Sequence, residues 1–144
     1  MRAILSAAMA LSVAFAALGT SAWSQDAGGD LTIELNAAET IETGCRLTFV
    51  VENGLGHDIA SAVFETVLFT RDGIVDRLTL FDMQALPADR PRVRQFDVPG
   101  LACDALGRVL INGVSACTGD GIDQSACEAG LVPSSRLEDV EMIG

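Results

Sequence analysis

The stretch that decides the fold is Ile59–Asp82, IASAVFETVLFTRDGIVDRLTLFD. Two runs of β-branched, aromatic and aliphatic residues flank Asp72-Gly73. Gly accepts the positive φ of a tight hairpin turn without steric cost, and Asp tolerates it better than most side chains. A two-residue loop at Asp72-Gly73 sets Arg71 against Ile74. Counting back from the turn sets Phe64 opposite Phe81, Thr66 opposite Thr79 and Val67 opposite Leu78. Such cross-strand pairs contribute roughly 0.2–1 kcal/mol each. Both faces of the hairpin are apolar. Val63, Val67, Phe69, Leu78 and Leu80 mark one; Phe64, Leu68, Val75 and Phe81 mark the other. Apolar residues on both faces predict a central position for the hairpin, and leave open which face is core.

Outward from the hairpin the chain repeats the strand pattern. Leu31–Leu35 alternates apolar and polar residues, as a half-buried strand does. Cys45–Glu52 places Leu47, Phe49 and Val51 on one face. Arg92–Val98 and Arg108–Val114 predict two more strands, and Ser134–Val140 a last one. Asn36–Gly44 and Met83–Pro91 read as connections. Ala116–Gly130 reads as a small acidic loop. About seven short strands, with turn residues between them and no helical period, predict an all-β fold. The expected architecture is an immunoglobulin-like antiparallel β-sandwich spanning residues 31–144 as one domain.

Residues 1–24 have the composition of a signal peptide. Arg2 precedes an apolar run from Ala3 to Leu18, and Ala22-Trp23-Ser24 supplies small residues for cleavage. The small and polar residues 25–30 are expected to form a flexible lead-in. Cleavage after Ser24 leaves 120 residues, enough for a proper core. It removes Arg2 and takes the formal charge from −11 to −12. The chain has no Lys and no Tyr. A surface this acidic repels nucleic acid and anionic lipid, and suits solubility, cations or basic partners. No later stretch is long and apolar enough to span a bilayer. The expected location is periplasmic or secreted.

Four cysteines in an exported chain predict two disulfides. The favoured pairing closes Cys117–Cys127 across the Gly-rich loop and leaves Cys45–Cys103. Loop entropy assigns ~3 kcal/mol to the short bridge and ~4 kcal/mol to the long one. No C-x-x-C occurs and there is a single His, so neither a zinc site nor a dithiol redox site is expected.

The best polar-site candidate is Arg90, Arg92 and Arg94. The last two share a strand face, and guanidinium forks bind carboxylate or phosphate. In so acidic a protein the competing expectation is local neutralisation by neighbouring carboxylates. Asp120 and Asp123 offer two carboxylates in a Gly-rich loop, a thin ligand set for calcium, which takes six to eight oxygens. His57 has no thiol or hydroxyl partner in the sequence pattern. The G-x-S-x-G, H-E-x-x-H and phosphate-loop motifs are absent. No cofactor is expected. These residues favour a non-enzymatic binding or accessory module facing an envelope protein or an anionic ligand. A calcium-dependent module or a small carboxylate-based hydrolase is the alternative.

The segments GCRLTFVVEN (Gly44–Asn53) and RPRVRQFDVPGLACDALGRVLINGV (Arg90–Val114) resemble small uncharacterised exported proteins of Gram-negative bacteria. That resemblance spans most of the chain after residue 24. It implies an envelope location and supplies no activity. FVVENGLG (Phe49–Gly56) and ETVLFTRDGIVD (Glu65–Asp76) are more weakly similar to secreted FxLYD-type β-sandwich modules, through Phe69, Asp72 and Gly73. The Tyr-Asp that follows the Leu of that family is absent here.

Overall fold

The computed structural model describes residues 28–144. The expected signal peptide and the first part of the lead-in lie outside the described residues. Two four-stranded sheets pack face to face as a β-sandwich. One sheet has the order β5-β2-β1-β7 and the other β4-β3-β6-β8. The strands are β1 (Leu31–Ile41), β2 (Gly44–Asn53), β3 (Ile59–Thr70), β4 (Val75–Leu86), β5 (Arg92–Pro99), β6 (Leu106–Thr118), β7 (Leu131–Ser135) and β8 (Glu141–Ile143). A 3-10 turn, Cys103–Ala105, precedes β6, and one short helix, α1 (Gln124–Gly130), precedes β7.

The Asp72-Gly73 hairpin is β3–β4, and Phe64, Thr66 and Val67 stand opposite Phe81, Thr79 and Leu78 as expected. The turn itself is one residue longer. Thr70 N donates to the Ile74 carbonyl (2.8 Å) and Gly73 N donates to the Thr70 carbonyl (2.9 Å). Gly73 sits at φ +77°, the left-handed position of a three-residue loop. A bulge at Asp76 then takes up the extra residue. Phe69 faces Val75, whereas Leu68 faces Arg77. Two irregularities of one residue cancel, so the register from Leu68–Arg77 to Val63–Asp82 is that of a two-residue loop.

The core face of the hairpin is the one with Phe64, Leu68 and Phe81, all buried. They meet Leu31, Ile33, Leu35, Leu47, Phe49 and Val51 from β1 and β2. The hairpin is not wholly central, a correction to the sequence expectation. β3 lies between β4 and β6, but β4 is the edge of its sheet. Apolar residues on both faces of β4 therefore reflect an exposed apolar surface, not double burial.

Other boundaries also move. β1 runs on to Ile41 and β4 to Leu86, through residues expected to be connections. Gln124–Gly130 is helical inside the expected loop, with Asp123 as its N-cap. Its seven residues give a 3.6-residue period too little length to show in sequence. The expected last strand, Ser134–Val140, does not form: only Ser134 and Ser135 belong to β7, and β8 starts beyond it at Glu141. β7 pairs in parallel with β1 in one sheet, and β8 in parallel with β6 in the other. The chain end thus crosses between sheets at residues 136–140 and lends each a parallel edge.

Cys45 bonds Cys103, tying β2 to the turn before β6, and Cys117 bonds Cys127, tying the end of β6 to α1. Among the described residues no helix is long and apolar enough to cross a membrane.

Candidate functional site

The arginine segment does not form one open clamp. Arg92 and Arg94 lie on the inward side of edge strand β5, where the two sheets part. Arg94 spans the gap. Its Nε donates to the Met83 carbonyl (2.7 Å) and one Nη to the Ala85 carbonyl (3.0 Å), both on β4. Its other Nη donates to the Val93 carbonyl of its own strand (3.1 Å). Arg77 makes the reverse strut, donating from β4 to the Pro99 carbonyl of β5 (2.7 Å). Between the struts Phe81 and Phe96 stack with centroids 4.4 Å apart, and Phe49 packs against both. Arg94 thus has a latching role that alternation alone does not reveal.

Arg92 donates to the Pro91 carbonyl (3.0 Å). Arg90 lines a cleft of about 470 Å³ with Asp30, Glu52 and Asp89. Three carboxylates against one guanidinium oppose an anion there. Local neutralisation by carboxylates occurs elsewhere: Arg46 pairs with Asp97 (2.6 Å), Arg136 with Glu34 (2.9 Å) and Arg108 with Glu141 (2.7 Å).

The two loop aspartates serve different features. Asp123 accepts hydrogen bonds from Ala126 N (3.0 Å) and the Ser125 hydroxyl (2.8 Å). Those bonds, the backbone one first, hold its carboxyl below the usual carboxylate range. Asp120 lines a separate shallow cleft with Asp58 and Ala60. Among the described residues no three His, Cys, Asp or Glu side chains converge as a metal-binding group. His57 lines a hollow of about 300 Å³ beside α1, with Leu55, Ile122 and Ala126. Asn53 organises this end of the sandwich. It is buried, its Nδ2 donates to the His57 and Leu86 carbonyls, and its Oδ1 accepts from Leu55 N.

The feature that sequence reasoning missed is the outward face of the β4-β3-β6-β8 sheet. Register sets Leu78, Val67, Leu110 and Ile143 in one row across all four strands. The next row toward the turn sets Val75, Phe69 and Arg108 together, with the Arg108 guanidinium 5.9 Å from the Phe69 ring centroid. The row on the other side begins with Leu80 and Glu65, and the one beyond with Asp82 and Val63. Leu78 and Leu80 are 58% and 55% exposed, Val75 55% and Ile74 65%. A contiguous apolar face on a soluble sheet marks an interaction surface more often than scattered apolar residues do. The signal was present in the sequence as the second apolar face of Ile59–Asp82. It pointed to exposure once β4 proved to be an edge.

Comparison with family models, with curated proteins and with solved structures finds no match.

Proposed function

We propose that this chain is an exported, non-enzymatic binding or accessory module of the cell envelope. Its recognition surface is the outward face of the β4-β3-β6-β8 sheet. The observation that carries the reading is the exposed Leu78, Leu80 and Val75 of β4, whose row continues through buried Val67 and part-buried Leu110 to exposed Ile143. The free energy available from covering such residues is about 25 cal/mol per Å² of apolar surface. Export is supported by Arg2 and the apolar run after it, and by two disulfides, which persist in oxidising compartments.

The test is affinity capture from an oxidised envelope extract, with the folded, disulfide-closed protein as crosslinked bait. One reproducible envelope component is expected. It should be lost with Leu78→Asp/Leu80→Asp and retained with Arg92→Glu. Retention by the leucine variant, or capture of nothing, rejects this surface. Loss with Arg92→Glu alone moves recognition to the arginine segment.

A further inference from the structure

β4 pairs with β3 on one side only. An edge strand presents backbone N–H and C=O groups to any chain able to add alongside it. Arg94 occupies the carbonyls of Met83 and Ala85. Toward the turn, no strand among the described residues pairs with the outer side of β4, and only the Arg77 side chain crosses from it, to the Pro99 carbonyl of β5. A groove of about 510 Å³ runs along this edge, with Thr79, Leu80 and Phe81 on one side and Gln95, Phe96 and the ion pair of Asp97 with Arg46 on the other. Backbone pairing and apolar contact are thus offered along one line.

Charge decides which occupant fits. The arginines around the face are already engaged within the chain. Arg108 pairs with Glu141, Arg77 with Asp76 and Arg71 with Asp139. Glu65 and Asp82, which flank Leu80 on the outward face, pair with no cation among the described residues. Asp82 accepts only from Gln84 N, and Glu65 accepts from the Asn112 amide. A second copy fits poorly. A two-fold antiparallel β4 pairing centred on Thr79, which aligns Leu78 with Leu80, sets Asp82 of each copy against Asp76 of the other. Like charges directly opposed across strands destabilise the pair, and two chains of net charge −11 repel.

Resting on the proposal that this face is the recognition surface, we infer that the occupant is an extended, cationic and apolar peptide segment of a partner protein. It adds to the β4 edge as a fifth strand. Its backbone pairs with β4, as in strand addition. Apolar side chains lengthen the rows begun by Leu78 and Leu80. Lysine or arginine side chains reach Asp82 and, one strand further in, Glu65.

The test is fluorescence anisotropy of a labelled decapeptide of alternating valine and lysine, titrated with the purified, disulfide-closed protein. Saturable binding that weakens with salt is expected. Glu65→Gln and Asp82→Asn should each weaken it roughly two- to fivefold, as for the loss of an exposed ion pair. A peptide N-methylated at consecutive residues should not bind, because neither of its edges can then pair with β4. Equal binding of a valine–glutamate decapeptide overturns the inference, as does equal binding of the N-methylated peptide, or no binding of the parent. Dimerisation of the protein in sedimentation, lost with Leu80→Lys, also overturns it and makes a second copy the occupant. If envelope capture fails with Leu78→Asp/Leu80→Asp while the parent peptide does not bind, the recognition surface stands and the strand-addition inference falls. If neither capture nor peptide binding occurs, both fall.

Discussion

The two sheets are built from the same kinds of strand, share one core and differ on the outside. On the β5-β2-β1-β7 sheet the outward rows are polar. Asp97, Arg46 and Glu39 form one row, Gln95 and Thr48 belong to the next, and Glu52 and Thr32 to another. Asp97 and Arg46 are ion-paired, and Gln95 donates to the Thr48 hydroxyl (3.1 Å). Of the apolar exceptions, exposed Val93 pairs with Val50 in one row, and Val132 lies apart on the opposite edge strand. On the β4-β3-β6-β8 sheet one outward row, Leu78, Val67, Leu110 and Ile143, is apolar from edge to edge, and the rows beside it combine Val75, Phe69 and Leu80 with Arg108, Glu141 and Glu65. Alternation is thus kept more closely on one sheet than on the other. A single solvated face explains the first. Among the described residues nothing covers Leu78, Leu80 and Val75 on the second. The difference teaches that the interior determines where strands lie, while the outward faces record what each sheet meets.

Breaking the shared interior should cost most and should not distinguish the sheets. Phe64→Ala on one sheet and Phe49→Ala on the other remove fully buried rings, and each should lower unfolding free energy by about 3–5 kcal/mol in urea titrations. A loss below 1 kcal/mol at either position would mean that its sheet does not pack on the core as described. The covalent tie between the sheets comes next. Replacing Cys45 and Cys103 by Ala opens a 58-residue separation and should cost ~4 kcal/mol by loop entropy.

The latch at the parting edge is smaller. Arg94→Met keeps the stem and deletes three donors, and should cost about 1–2 kcal/mol. Retained stability would show that the β4 and β5 edges need no strut. The outward faces should matter least for folding. Leu78→Ser/Leu80→Ser should change stability by less than about 1 kcal/mol while reducing binding of a hydrophobic dye. A large destabilisation would mean that these leucines serve the fold, and would remove the contrast between the sheets.

The smallest effect concerns the polar face alone. The Arg46 guanidinium, bonded to Asp97, holds that carboxyl below the usual carboxylate range. A carboxyl lowered on folding stabilises above its unfolded pKa of about 3.9, and that contribution is lost as pH falls through its folded value. The Tm difference between the wild type and Asp97→Asn should therefore be present at pH 6 and shrink below about pH 4. A difference that grows on acidification would contradict the assignment.

Much of the fold was legible in the sequence because it rests on local chemistry. Alternation in Leu31–Leu35, Cys45–Glu52 and Arg92–Val98 follows from the two-residue side-chain period of a strand. The hairpin register followed from Asp72-Gly73, although a turn residue and a bulge had to cancel for the count to hold. The Gly-rich segment between Cys117 and Cys127 was enough to favour that bridge. The helix Gln124–Gly130 was not legible, since it spans two turns and is held by the Asp123 cap and the Cys127 bridge more than by its own period.

The candidate surface depended on assembly. Residue types showed that Ile59–Asp82 is apolar on both sides. Whether its second side is buried or open depends on which strand neighbours β4, and that is a contact between residues far apart in the chain. Likewise Arg92 and Arg94 were placed on one strand face by alternation. That Arg94 turns inward to the Met83 and Ala85 carbonyls follows only from β5 and β4 being edges of facing sheets. Sequence by itself determined where most strands lie, the place of the hairpin, the acidic composition and the cysteine framework, because these are set largely by side chains near one another in the chain. Tertiary structure alone decided which apolar face is solvent-exposed and which arginines are spent, because both depend on the order of strands in the sheets.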